Sequence, residues 1–139
     1  MDRRYLLDTQ VAVFFFSNRK ELKRHIQDIL EDYSNLFYVS TTTVKEIIHL
    51  CNSGRIRVNK WKTAADILPA IKGAYFELLP VKEVHLATYA TLATPKGHND
   101  PNDHIIISQA ITERMVLISS DQKFEQYLNQ DLLFIFNGR

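Results

Sequence analysis

The chain has 139 residues, a formal net charge of +1 at pH 7 and one cysteine, Cys51. This length fits a single domain over residues 1–139 that buries enough surface to fold without a disulfide or a structural metal. A near-neutral charge excludes a globally basic nucleic-acid binder, so contact with nucleic acid has to come from a local patch. A lone cysteine excludes a disulfide framework and a cysteine-based zinc site, which suits a cytoplasmic location.

The apolar stretches are too short to cross or anchor in a membrane. The run that follows Arg3 and Arg4 stops at Asp8, which is too short for the core of a signal peptide. No stretch reaches the roughly 18 apolar residues that a membrane span needs. We therefore expect no membrane partner.

In chain order, the N-terminal half alternates short apolar runs with helical patterns. Residues 4–7 predict a buried strand closed by Asp8, and residues 11–16 are apolar on all sides, which predicts a buried helix. The following elements are expected to be an amphipathic helix over 19–33, a strand over 36–39, a helix from about Val44 to Asn52, and, after a polar stretch over 55–62, a helix to about Lys72. The serine and threonines at 40–43 offer several N-caps for the helix that ends near Gly54.

The C-terminal half continues the alternation. The predicted elements are a strand over 75–79, a helix over 83–92, a loop over 94–100, a helix over 101–113, a strand over 115–119, a short helix over 121–127 and a strand over 132–136. Most of these strands are continuous apolar runs, which is typical of a parallel sheet covered on both faces. The fold class is therefore α/β, a three-layer sandwich whose central, mostly parallel β-sheet has helices on both faces.

Four acids fall at the carboxyl edge of this predicted sheet. Asp8 follows the first strand and Asp121 follows the strand over 115–119, while Glu46 and Asp103 lie in the first turns of helices that begin at the same edge. Ligand sites of open parallel sheets lie at this edge. Four neighbouring carboxylates need a counter-charge, and oxygen-only ligands select Mg2+ or Mn2+ over zinc. Such a cation activates water and clamps a phosphate, so the pattern predicts metal-dependent phosphodiester hydrolysis.

Each acid also has a purely structural interpretation. Asp8 and Asp121 could cap the helices that follow them, and Asp103 could reach back in a helix capped by Asp100. Glu46 could form a capping box with the threonine three residues before it. The joint placement of four acids on one edge favours a site, although sequence alone leaves both interpretations open for each residue.

The motifs resemble the PIN domain of the VapC toxin type. The resemblance is carried, in order, by LLDT at 6–9, VSTTTVKEI at 39–47, HNDPNDHIIISQA at 98–110 and LISSDQKFEQY at 117–127. Together these segments span nearly the whole chain. The departures from the family pattern are Asn102 in place of Phe, His104 in place of Arg, and Lys45 where Trp is common. They bear on substrate preference and partner contacts rather than on the carboxylates.

The resemblance implies the fold and the activity of an endoribonuclease toxin that hydrolyses RNA with Mg2+ or Mn2+. The family's metal-binding and catalytic acids fall on Asp8, Glu46, Asp103 and Asp121. By position, Asp100 and Ser119 take secondary or substrate-contacting roles, and Thr9 and His98 are further candidates for such contacts. The implied partners are RNA, a small VapB-like antitoxin whose C-terminal segment covers the acidic pocket, and a second copy of the chain in a homodimer.

Two further hypotheses belong to other functional classes. A PIN fold could serve as a non-catalytic module that binds RNA or protein, although the presence of all four acids argues against this. A phosphoacceptor receiver domain is also α/β with an acid cluster, but here Asp8 stands alone after the first strand and the strand over 36–39 ends without an acid. The basic residues near the predicted site, Lys45, Lys96, His98 and His104, could contact RNA phosphates or simply be solvated.

Overall fold

The computed structural model describes residues 3–138 and is organised around a five-stranded sheet. The strands are β1 (Arg4–Leu7), β2 (Leu36–Ser40), β3 (Glu77–Leu79), β4 (Val116–Ser119) and β5 (Leu133–Phe136). They lie in the order β3-β2-β1-β4-β5, and every neighbouring pair is parallel. The predicted α/β class with a parallel central sheet is confirmed.

In the described part of the chain, six α-helices and three 3-10 segments connect the strands. The α-helices are α1 (Thr9–Ser17), α2 (Arg24–Glu31), α3 (Thr41–Asn52), α4 (Ile67–Gly73), α5 (Glu83–Thr91) and α6 (Pro101–Glu113). The 3-10 segments are Arg19–Glu21, Ala64–Asp66 and Gln122–Gln130. Within residues 3–138, no helix is long and apolar enough to span a membrane.

The hydrophobic core is split into two layers by the sheet, because successive side chains of a strand point to opposite faces. Tyr5 and Leu7 of β1 pack into one layer, and Leu6 between them packs into the other. The first layer includes buried residues of α1, α2, α3 and α4, namely Val11, Ile26, Ile47 and Ile71. The second includes Ile106 and Ile107 of α6 and Phe124 and Tyr127 of the last 3-10 segment. Helices therefore cover both faces, as the continuous apolar strands predict.

The prediction of one helix over 19–33 is wrong, because the chain breaks at Leu22 and Lys23. Both residues have extended backbone between the first 3-10 segment and α2. The Asn137 side chain fixes this break: its Oδ1 accepts from the Lys23 amide at 2.8 Å, and its Nδ2 donates to the Glu21 carbonyl at 3.1 Å. A buried asparagine from the other end of the chain thus satisfies backbone groups that a continuous helix would have paired itself.

Two C-terminal predictions also need correction. The strand predicted over 75–79 begins only at Glu77, because Tyr75 has a left-handed backbone (φ 63°) and lies in the turn after α4. The short helix predicted over 121–127 is a 3-10 segment that ends before Asp131, another left-handed residue (φ 70°). A strand cannot include a left-handed residue without a local break in its extended geometry.

Candidate metal centre

The strand order places the predicted acids around one cleft. Asp8 follows the central strand β1, and Asp121 lies just beyond the neighbouring strand β4. Glu46 comes from α3, which follows β2 on the other side of β1, and α6 contributes Asp103. All four side chains line a cleft of about 670 Å³. The remaining lining residues are Thr9, Gln10, Leu50, Ser120, Gln122 and Phe136.

Asp8 is the most buried of the four acids, with 6% of its surface exposed. Its Oδ1 accepts from the Thr9 amide at 2.8 Å, and its Oδ2 accepts from the Ser119 hydroxyl at 2.7 Å. Ser119 Oγ in turn accepts from the Asp121 amide at 3.0 Å. These bonds fix the carboxylate at the junction of β1 and β4, and each oxygen keeps lone-pair capacity for a cation.

Glu46 is held by Thr9 rather than by a capping box. Thr9 Oγ1 donates to Glu46 Oε1 at 2.9 Å, so one threonine contacts both Asp8 and Glu46. The prediction that Glu46 lies in the first turn is wrong: α3 begins at Thr41, because the Ser40 side chain caps it by accepting from the Thr42 amide. Because the helix begins at Thr41, Glu46 lies in its second turn, at the edge of the cleft.

Capping turns out to be compatible with a site. Asp100 caps α6 by accepting from the Asn102 amide at 2.9 Å, and it is exposed and does not line the cleft. Asp121 Oδ1 caps the last 3-10 segment by accepting from the Lys123 amide at 2.9 Å. Asp103 contacts a side chain instead of a backbone amide: its Oδ2 lies 3.2 Å from His98 Nε2. One carboxylate can therefore cap a helix with one oxygen while the other remains available.

The electrostatics of the cleft favour uptake of positive charge. The pKa of Asp103 is raised to about 8, mainly by burial and in addition by the negative charges of the neighbouring acids Asp8, Asp100, Glu46 and Asp121. The pKa values of Asp8 and Glu46 are also raised, in both cases mainly by burial and then by nearby acids. Without a metal, Asp103 consequently holds a proton near neutral pH that a divalent cation would replace. Crowded, partly protonated carboxylates of this kind fit a hard, oxygen-seeking cation.

A histidine lies closer to this cluster than sequence analysis indicated. One ligand atom each from His98, Asp103 and Asp121 fall within 4.8 Å of one another. His98 and His104 are both buried, so neither is the surface RNA contact considered from sequence, whereas Lys45 and Lys96 are exposed. Tyr127, whose hydroxyl lies 2.5 Å from His98 Nδ1, was not singled out at all. No local pattern distinguishes it from an ordinary core tyrosine.

Fold and site together define a parallel α/β protein with a carboxylate cluster at the carboxyl edge of its sheet. Residues 5–128 match the family model of the PIN domain, and the chain therefore belongs to the PIN domain family. The comparison with curated protein sequences found no match.

Several solved structures share this fold across nearly the whole chain. DNA-bound VapBC from Salmonella typhimurium matches with a TM-score of 0.70 and 19% identity, over 96% of this chain and 98% of that one. VapBC-1 from nontypeable Haemophilus influenzae matches with a TM-score of 0.66 and 22% identity, over 96% and 97% of the two chains. FitAcB from Neisseria gonorrhoeae matches with a TM-score of 0.61 and 22% identity, over 96% of each chain. At these identities the likeness establishes the fold.

Proposed function

We propose that this protein is a metal-dependent endoribonuclease and the toxin of a VapBC-type toxin–antitoxin pair. The observation that carries the proposal is the convergence of Asp8, Glu46, Asp103 and Asp121 on one cleft. Membership of the PIN domain family and the shared fold with VapBC proteins support it. The crowded carboxylates are best explained by a bound Mg2+ or Mn2+ ion.

The residues divide the chemical work between binding and proton transfer. Asp8, Asp103 and Asp121 would hold the cation, which when bound lowers the pKa of water and offsets negative charge at the phosphate. Hydrogen bonds from Thr9 and Ser119 fix Asp8 in advance, so little reorganisation is needed. Glu46 is bound to Thr9 through Oε1, which leaves Oε2 to bind the cation directly or to accept a proton from the attacking water.

A basic groove adjoins the acidic cleft and suits the flanking phosphates of RNA. We use "basic groove" for the cavity of about 370 Å³ lined by Lys45, His49 and Arg55 together with Glu46, Leu50 and Asn102. It shares Glu46 and Leu50 with the acidic cleft, so the two lie side by side. An acidic cleft alone repels a polyanion, whereas cations beside it supply attraction and register for the backbone.

The proposed partners follow from further solved structures that share this fold. Solved structures with this fold include a member of the VapBC family of toxin-antitoxin systems from Mycobacterium tuberculosis and a toxin-antitoxin complex from Klebsiella pneumoniae. We propose by analogy that a VapB-like antitoxin inhibits this protein by covering the acidic cleft with its C-terminal segment. We also propose that the chain is a cytoplasmic homodimer, as the family resemblance implies.

RNA cleavage by the purified protein tests the proposed function. We expect end-labelled RNA to be cut in Mg2+ or Mn2+, the reaction to stop in EDTA, and excess metal to restore it, because the carboxylates need a cation to act on a phosphate. Transfer RNA, ribosomal RNA and messages should each be tried. Binding of RNA without metal-dependent cleavage of any of them would favour the alternative of a non-catalytic PIN-fold module.

Removing the cations of the basic groove tests the proposed path of the RNA. We expect the Lys45→Ala/Arg55→Ala double variant to raise KM for RNA about tenfold with little change in kcat, because it removes phosphate contacts and leaves the carboxylates intact. The slope of log K against log salt should fall by about 1.4, or ~0.7 for each lost contact to a single strand. Lys20→Ala/Lys72→Ala is the matched control, since both lysines are exposed and line neither cleft. Equal salt slopes for the two double variants would contradict the assignment.

A further inference from the structure

A buried polar chain lies behind the acid cluster and has no part in the reaction described above. Tyr127 is 0% exposed and its hydroxyl lies 2.5 Å from His98 Nδ1. His98 is 3% exposed, and its Nε2 lies 3.2 Å from Asp103 Oδ2. Both nitrogens of one imidazole are therefore engaged, one inside the core and one at the cleft.

The direction of these hydrogen bonds follows from the chemistry of the partners. An Asp103 that binds a cation is ionised and can only accept, so His98 Nε2 has to carry the hydrogen. A neutral imidazole then has an unprotonated Nδ1, which can only accept, and the Tyr127 hydroxyl has to donate to it. Both side chains are buried, and burial favours the uncharged form of each.

Resting on the proposed function, we infer that His98 and Tyr127 are positioning residues that orient the Asp103 carboxylate toward the cation. Tyr127 fixes the tautomer of His98, and His98 donates to Asp103 Oδ2. The second oxygen, Oδ1, is left for the metal. The packing supports this role: the His98 ring lies against the rings of Phe124, Tyr127 and His104, and its carbonyl accepts from His104 Nε2 at 2.8 Å.

The alternative of His98 as a direct metal ligand agrees less well with the contacts. If Nε2 bound the cation, Nδ1 would carry the hydrogen and the Tyr127 oxygen would have to accept it. The Tyr127 hydroxyl hydrogen would then be buried without an acceptor, since among residues 3–138 His98 is the one hydrogen-bond partner of this hydroxyl. A buried unsatisfied donor costs about 1–3 kcal/mol, which the positioning arrangement avoids.

Metal affinity separates a positioning role from a purely structural one. Partners that orient a metal ligand typically change metal affinity about 10- to 100-fold when removed. We expect His98→Asn to weaken Mn2+ binding by about that factor, because its amide nitrogen sits near the place of Nδ1 and cannot reach Asp103. His98→Gln places an amide donor near the place of Nε2 and should restore most of the affinity. Tyr127→Phe keeps the ring but removes the hydroxyl that fixes the tautomer of His98, so it should also weaken Mn2+ binding.

The experiment is calorimetric titration of each full-length variant with Mn2+, combined with thermal unfolding without metal and Mn2+ pulsed EPR. We expect the affinity for Mn2+ to decrease in the order wild type, His98→Gln, Tyr127→Phe, His98→Asn, and we expect no coupling between an imidazole nitrogen and bound Mn2+ in the EPR spectrum.

Equal affinities in folded variants, or a loss of thermal stability without a loss of affinity, would overturn the positioning role. An imidazole coupling would overturn it in favour of direct ligation. A wild-type protein that binds no Mn2+ would overturn the proposed function itself, which is a distinguishable failure. Should His98→Asn not fold, Tyr127→Phe and His98→Gln still decide between these outcomes.

Discussion

Replacing Asp8 with Asn is expected to reduce metal-dependent RNA cleavage by about a thousandfold while the protein remains folded. Asp8 is the central member of the cluster, since it follows the central strand and its partners reach both Asp121 and Glu46. An amide at this position removes the negative charge that a cation needs. The cut products should be measured under single-turnover conditions, so that the change reports the chemical step.

The same change should not unfold the protein, because Asn keeps the shape of the side chain and can still accept from the Thr9 amide. Burial penalises the charged form of Asp8, as its raised pKa indicates, so the neutral amide is expected to leave the metal-free melting temperature equal or higher. Asp28→Asn is the matched control, since Asp28 is exposed on α2 and forms only a surface ion pair with Arg24 at 3.3 Å. Full activity in the Asp8 variant, or an equal loss in the Asp28 variant, would reject the assignment.

A rise in pH is expected to destabilise the metal-free protein, whereas a bound metal ion is expected to stabilise it. Asp103 has a pKa of about 8 in the fold against an ordinary value of 3.8, so between these values the folded protein keeps a proton that the unfolded chain has released. The stability of the metal-free protein should therefore fall as pH rises through this window. The pKa of His98 is lowered in the fold, so below its ordinary value of 6.5 this residue makes stability rise with pH instead. The fall in stability with pH is therefore easiest to measure between pH 6.5 and about 8.

Added Mn2+ should reverse this decline. A hundredfold excess over Kd contributes about 2.7 kcal/mol, or a rise of roughly 10 °C in Tm for a chain of this size. Because the proton on Asp103 has to leave, metal affinity should rise up to about tenfold per pH unit below the pKa of the site. Thermal unfolding against pH, with and without Mn2+, measures both effects. Asp103→Asn is the control and should reduce the dependence on pH of both the Tm and the metal affinity. A wild-type Tm that changes with neither metal nor pH would contradict the prediction.

Sequence reasoning located the acids because the relevant information is local. An apolar run that ends in Asp8 or just before Asp121 places that acid at a strand end, and parallel strands bring their carboxyl ends to one edge. The start of α6 was equally local, since Asp100 caps it and Pro101 occupies its first position. At these positions neighbouring residues decide the structure, and the predictions were close.

Two of the corrections, and the residue pair behind the cluster, involve contacts between distant parts of the chain. The helix predicted over 19–33 is interrupted because Asn137 binds its backbone, and the sequence of that segment contains no signal that predicts a break. Likewise, Glu46 bonds to Thr9, which is 37 residues away in the chain, instead of a nearby threonine. The Tyr127–His98 pair joins residues separated by 29 positions, so its geometry became visible only in three dimensions.

The most direct measurement is an anomalous difference map from crystals of the protein soaked in Mn2+. We expect a strong peak within coordination distance of carboxylate oxygens of Asp8, Asp103 and Asp121, and no peak in crystals of Asp8→Asn treated in the same way. A map without a peak in this cleft, or with manganese bound only at exposed acids elsewhere, would contradict the view that these side chains share a cation.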